Sequence, residues 1–250
     1  QWRKWATYGY CIGGSNNLRE SLRERMEEMA KSGATAYKDV YRRAKVMRSS
    51  AFEAMLLKAT WPGDEPVPVE LLDEIIKHSI PAFKYGKASQ DDDPYHMTLH
   101  KLWTKICEED WRTKTKSFFI LHCISRDCQK GSCKKFAAAI KDMSKVRNPK
   151  NPTHKYFAMR EVAALADASA AYEKWSTDYA AYVLFRAKTF SSNYDELKDI
   201  NAKTSEKVVV TKLKKAQQCI TLALKCQFKS GRKSNSQYNY ITGQPMRHLS

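Results

Sequence analysis

Two groupings in this chain have the residue types of a metal site. His96 and His100 stand one helical turn apart, as in a zincin helix, but Met97-Thr98-Leu99 between them lacks the Glu that would serve as general base. His122 and Cys123 are followed by Cys128 and Cys133, at a spacing that is not a zinc knuckle's and without a clear fourth ligand. Both groupings read as ordinary helix residues, so no metal and no cofactor is assigned. The chain has no phosphate-cradling Gly-rich loop, no G-x-S-x-G elbow and no paired carboxylates at a pocket-like position. Its 9 glycines leave few places where backbone could approach a substrate closely. No catalytic residue is assigned, and the chain is not read as an enzyme.

What remains is cation chemistry. Residues 1–100 are almost balanced at +1, whereas residues 101–250 carry +16 of the total +17. Such asymmetry favours an anionic partner: acidic lipid, nucleic acid or an acidic protein. The densest stretch contains Lys134, Lys135, Lys141 and Lys145, continued by Arg147, Lys150 and Lys155. A second gathers Lys212, Lys214, Lys215, Lys225, Lys229, Arg232 and Lys233. Polybasic segments gain about 1 kcal/mol per cation near an anionic leaflet. Neither stretch interleaves the aromatics of a single-strand stacking platform, and no RNA-recognition, KH or helix-turn-helix signature is present. Nucleic acid stays open as a partner without being favoured.

The elements that carry these residues are helical nearly throughout. After an irregular lead, a helix is expected over Leu18–Lys31, stopped by Ser32-Gly33, and a second from about Ala36 to Thr60. Pro62, Gly63, Pro66 and Pro68 then break the chain. A third helix, Val69–Ser79, lines up Leu72, Ile75 and Ile76. A fourth, beginning after Pro94, carries the stripe Tyr95, Leu99, Leu102, Trp103 and Ile106. Asp110 caps a fifth helix over Trp111–Arg126, and a sixth spans about Ser132–Val146. Arg147–Pro152 reads as a loop, followed by a long Ala/Tyr-rich helical stretch to Phe190. The last helix, about Ser205–Phe228, aligns Leu213, Ala216, Ile220 and Ala223. Hydrophobic content of 42% suits a folded core, and no apolar run is long enough for a membrane span. The opening Gln1-Trp2-Arg3-Lys4-Trp5 has no leader-like apolar region, and a start at Gln points to a segment of a longer protein. The 7 cysteines, an odd number in helical patterns, suggest mostly buried thiols in a reducing compartment.

Several of these segments together resemble the ANTH/ENTH family. Lys58-Ala59-Thr60 is similar to that family's helix end, and Trp111-Arg112 with Lys116, Leu121-His122 and Arg126 is similar to its later Trp-Arg helix. Asp178–Val183 resembles a third family segment. Leu222–Cys226 with Gly231 and Asn235 resembles a fourth, which favours the longer ANTH form. The matches fall in family order over roughly residues 40–245. The resemblance implies an all-α, right-handed α-solenoid of about eight or more stacked helices. It would occupy residues 36–250, could be cut short at the C-terminus, and would follow an N-terminal extension (1–35) with one helix.

The resemblance also implies a peripheral, cytoplasmic membrane adaptor of vesicle trafficking that binds phosphoinositides and a protein partner such as a SNARE or coat component. Lys58 stands at the family's first headgroup position, but the following ones fall on Pro68, Glu70 and Leu71, so that pocket is degenerate. Lys105 and Lys116 fall where epsin-type relatives place basic residues and are the remaining headgroup candidates. His122 is expected to be structural, and Tyr172–Phe190 either presents a partner groove or packs the core. The alternatives are a scaffold that lost lipid binding, or a basic polyanion-binding helical module.

Overall fold

The computed structural model describes residues 24, 33, 40–44, 46, 47, 49–79, 94–127, 130–148, 151–159, 162, 170–227 and 245. The chain divides into two units, 1–49 and 50–250. In the first, the described residues 40–44, 46 and 47 are helical; the helix expected over 18–31 lies outside the described residues except for Glu24, which is helical, and Gly33, expected to stop it, is helical too.

The second unit carries eight helices among the described residues: α1 (Ala51–Ala59), α2 (Val69–Ser79), α3 (Pro94–Ile106), α4 (Trp111–Asp127), α5 (Lys130–Met143), α6 (Ala170–Thr189), α7 (Asp195–Lys198) and α8 (Glu206–Lys225). A short antiparallel pair, β1 (Arg147–Asn148) and β2 (Asn151–Lys155), follows α5. The fold is therefore all-α in class. The helix expected from Ala36 through Thr60 is interrupted at 49–50. Ser50 caps α1 there, its hydroxyl accepting from the Glu53 amide, because a serine side chain competes with the helical backbone and starts a helix better than it continues one.

The third and fourth expected helices form as α2 and α3. Leu72 and Ile75 are buried with Ile76 half-buried, and all five residues of the Tyr95–Ile106 stripe are buried. The loop expected at 147–152 is instead part of the β1–β2 hairpin, with Arg147 opposite Lys155 and Asn148 opposite Asn151. Its missing alternation and its proline hid it. Residues 153–159, expected within the long helical stretch, are not α-helical; Tyr156 and Phe157 tuck under Trp103, with Phe157 at a φ of 56°.

Helix α4 is the axis of this unit, packed by α2, α3, α5 and α6. Fourteen of its residues are buried. Four consecutive apolar residues, Phe118–Leu121, explain why: at about 100° per residue they point all round the helix, so every side must be covered. Asp110 caps it, with its carboxylate accepting from the Thr113 amide at 2.8 Å. Removing that cap in Asp110→Ala should lower the unfolding free energy by about 1 kcal/mol in urea titration; an unchanged midpoint would mean water replaces it without loss.

Helix α6 supplies the aromatic wall of the core. Trp175 stacks on Tyr179 at 5.2 Å, and Tyr172 lies against Trp111 at 4.3 Å. Of the two roles open to Tyr172–Phe190, the structure gives core packing: Tyr172, Trp175, Tyr179, Tyr182 and Phe190 are all buried in the interior. Helix α8 covers α6, and the Trp175 indole donates to the Cys226 carbonyl at 2.9 Å. Cys123, Cys219 and Cys226 are buried thiols, in line with the mostly buried thiols expected, while Cys107 is exposed and Cys133 is disulfide-bonded.

Candidate functional site

The Lys58-Ala59-Thr60 segment and the helix that begins at Trp111 are joined in space through the loop between α1 and α2. Lys58-Ala59-Thr60 ends α1, where the Thr60 hydroxyl donates to the Leu56 carbonyl at 2.8 Å. The loop that follows is held by α4. Arg112 pairs with Asp64 and lies over the Trp111 ring, while the Lys116 ammonium donates to the carbonyls of Trp61 at 2.7 Å and Gly63 at 2.8 Å. A rigid turn with three prolines has backbone acceptors that no helix satisfies, and α4 provides the donors.

This geometry sorts the three headgroup candidates. Lys58 is exposed, and no carboxylate pairs with it among the described residues. Lys116 is 5% exposed and spent on backbone carbonyls. Burial draws its ammonium down to about 8, against the opposing pull of Asp110, Glu65 and Asp64. Lys105 is also buried and pairs with Glu108 one turn further on. Lys105 and Lys116 are thus structural cations rather than the outward-facing pair that a headgroup would need.

The interior of α4 repeats the pattern. Lys114 is buried, donates to the Val162 carbonyl at 3.3 Å, and is drawn down by desolvation. The Thr115 and Tyr172 hydroxyls bond each other. His122 is 1% exposed, with Nδ1 3.2 Å from the Tyr179 hydroxyl and its ring edge-on to Tyr182. It is a buried polar link between α4 and α6. Of the zincin-like pair, His100 shares a hydrogen bond with the Tyr156 hydroxyl at 2.6 Å. No cluster of three or more metal-type side chains forms among the described residues.

The polybasic residues are placed differently. Lys134, Lys135 and Lys141 on α5, and Lys145 just beyond it, are exposed. Asp199 lies 3.6 Å from Lys134, and Asp142 lies 2.8 Å from Lys145 and is drawn below its ordinary value by it. Exposed pairs of this kind are weak, because solvent screens them, and they yield readily to a stronger anionic partner.

The surface that the sequence patterning missed is on α8. Leu213, Ala216, Ile220 and Ala223 were expected on one face, but they straddle two. Ala216 and Ala223 are half-buried toward the core with buried Cys219, whereas Leu213 and Ile220 are 57% and 60% exposed. Lys207, Lys214, Lys215 and Lys225 are exposed on the same helix, none in an ion pair among the described residues. A step of three and four residues starting from Val210 would have separated the outer line from the inner one.

No helix of the described residues is long and apolar enough to cross a membrane. Comparison with protein-family models, with curated proteins and with solved structures finds no match to this chain.

Proposed function

We propose that this chain is a non-catalytic helical adaptor that sits peripherally on anionic membranes and holds a protein partner. In this reading its helices stack as a right-handed solenoid of the ANTH kind, and it works on the cytoplasmic side of a trafficking membrane. The observation that carries the reading is the sorting of its lysines. Lys105 and Lys116 are consumed inside the fold, while Lys58, Lys134, Lys135, Lys141 and Lys145 stay outside on a chain of net charge +17. A surface of this kind recognises charge density in a phosphoinositide-rich or serine-lipid leaflet, at about 1 kcal/mol per cation. In this reading the exposed lysines act as point charges and not as a fork that selects one headgroup.

The test is vesicle co-sedimentation of wild type beside Lys58→Glu and beside the joint Lys134/Lys135/Lys141/Lys145→Ala variant. Each should bind anionic vesicles more weakly, the quadruple change by more than about tenfold given four cations at that energy. Binding should also fall steeply as salt shortens the screening length from about 10 Å toward 3 Å. Vesicle binding unchanged in the quadruple variant would overturn this reading. Equal competition by duplex DNA would favour the polyanion-binding module instead. The apolar outer line of α8 favours a second reading, a protein-interaction scaffold without lipid contact, which wild-type failure to bind any vesicle would support.

A further inference from the structure

We infer that the outer face of α8 is a docking seam for one amphipathic helix of another protein, with acidic residues flanking that helix's apolar stripe. The argument begins with register. Val210, Leu213, Gln217, Ile220 and Leu224 follow alternating steps of three and four, the spacing of a two-stranded seam. The four apolar members are 41%, 57%, 60% and 62% exposed in chain order. At 1.5 Å per residue the line runs about 21 Å, three turns and more of a partner helix. The opposite face of α8 is already engaged, through buried Cys219 and half-buried Ala216 and Ala223 against α6. A single helix has therefore been given two apolar lines, and the fold uses one.

Charge selects the occupant. Lys207, Lys214 and Lys225 run beside the line on one flank, exposed and outside any ion pair among the described residues. With five lysines and one glutamate, α8 presents a cationic edge that glutamates or aspartates beside a partner's stripe would complement. A second copy of this chain would bring the same lysines and a like net charge against them. A bilayer fits less well, because the line is a narrow seam rather than a broad apolar face, with Glu206 at one end and Gln217 in the middle. A lipid interior would have to desolvate both. A partner helix can meet Gln217 with a polar side chain, which fixes register at some cost in affinity.

The test uses two fluorescent designed peptides of three heptads, with Ile and Leu on the apolar stripe and one Asn to meet Gln217. One carries Glu on both flanks, the other Lys. In anisotropy titrations the Glu peptide should bind saturably, and the Lys peptide more than about tenfold weaker. Ile220→Glu/Leu224→Glu should abolish binding while far-ultraviolet circular dichroism stays unchanged, since both side chains are mostly exposed. Lys207→Glu/Lys214→Glu should reverse the preference toward the Lys peptide, a result no folding defect produces. Equal binding of both peptides, no binding up to about 100 μM, or binding that survives the Ile220/Leu224 change would overturn the inference. So would self-association in sedimentation equilibrium that the Ile220/Leu224 change removes, or vesicle binding that it removes. The peptide and vesicle arms are independent, so failure of the seam and failure of the membrane reading are separate outcomes.

Discussion

Lys116→Met should lower the free energy of unfolding by about 2–3 kcal/mol and leave vesicle binding per folded molecule unchanged. The ammonium holds the turn after α1 through two carbonyls, at 2.7 and 2.8 Å, and charge-assisted bonds of this type contribute about 1.5–3 kcal/mol each before desolvation is subtracted. Methionine fills a similar volume but donates nothing, so the Gly63 carbonyl loses its tie to α4. An exposed lipid-binding lysine at this position would behave oppositely. Its replacement would shift stability by no more than roughly 0.5 kcal/mol and weaken vesicle binding. Urea titration beside co-sedimentation separates the two.

The same residue leaves a pH signature. Its folded-state value, about 8, lies below the ordinary 10.5, chiefly through burial. Between those values the unfolded chain binds more protons than the folded one, so the Lys116 contribution to stability rises as pH climbs from about 8 toward 10.5. Below about 8 the ammonium is charged in both states and the burial penalty is present in full. The buried thiols Cys123 and Cys226, pushed up to about 12, pull the other way at high pH, but they do so equally in wild type and variant. The stability gap between wild type and Lys116→Met should therefore widen by on the order of 1 kcal/mol from pH 7.5 to 9.5. A gap that stays flat or narrows would mean the ammonium is not buried as described.

The larger loss is expected at Arg186. Its side chain is 1% exposed, and its guanidinium donates to the Ser125 hydroxyl at 3.0 Å and to the Ser192 carbonyl at 2.7 Å while lying over the Tyr194 ring. Those contacts tie α4 and α6 to the 190–194 turn, where Ser192 and Tyr194 both hold positive φ and so depend on their surroundings. No carboxylate pairs with Arg186 among the described residues, so neutral dipoles and one ring carry the whole charge. Arg186→Ala leaves a cavity and strips the donor from one buried and one half-buried acceptor, and should destabilise by about 3–5 kcal/mol. Arg186→Lys should recover less than half of that, because a point ammonium cannot span both acceptors in the fork geometry. Full recovery by lysine would show that charge alone matters there.

How much of this was legible depended on whether a helix has one buried side or several. Val69–Ser79 and Tyr95–Ile106 each bury a single stripe, so their spacing alone located both helices and their core residues. Helix α4 obeys the opposite rule. Lys114 and Lys116 look like surface residues by type, yet the uninterrupted Phe118–Leu121 run means that the helix has no outside. Polar residues within such a helix have to find internal partners, and these lysines found backbone carbonyls. Helix α8 failed in the reverse sense: alanines on its inner face and aliphatics on its outer one were read as a single stripe. The hairpin at 147–155 had no alternation to betray it.

The measurement that tests the central claim most directly is co-sedimentation of the wild-type chain with three kinds of vesicle at physiological salt. These are neutral lipid, phosphatidylserine, and phosphoinositide matched to the serine lipid in surface charge. The account predicts no binding to the neutral vesicles and equal binding to the two anionic ones, because the exposed lysines form a charged surface rather than a headgroup pocket. Selective binding to the phosphoinositide at matched charge would contradict the charge-density account, and absence of binding to all three would contradict the membrane adaptor itself.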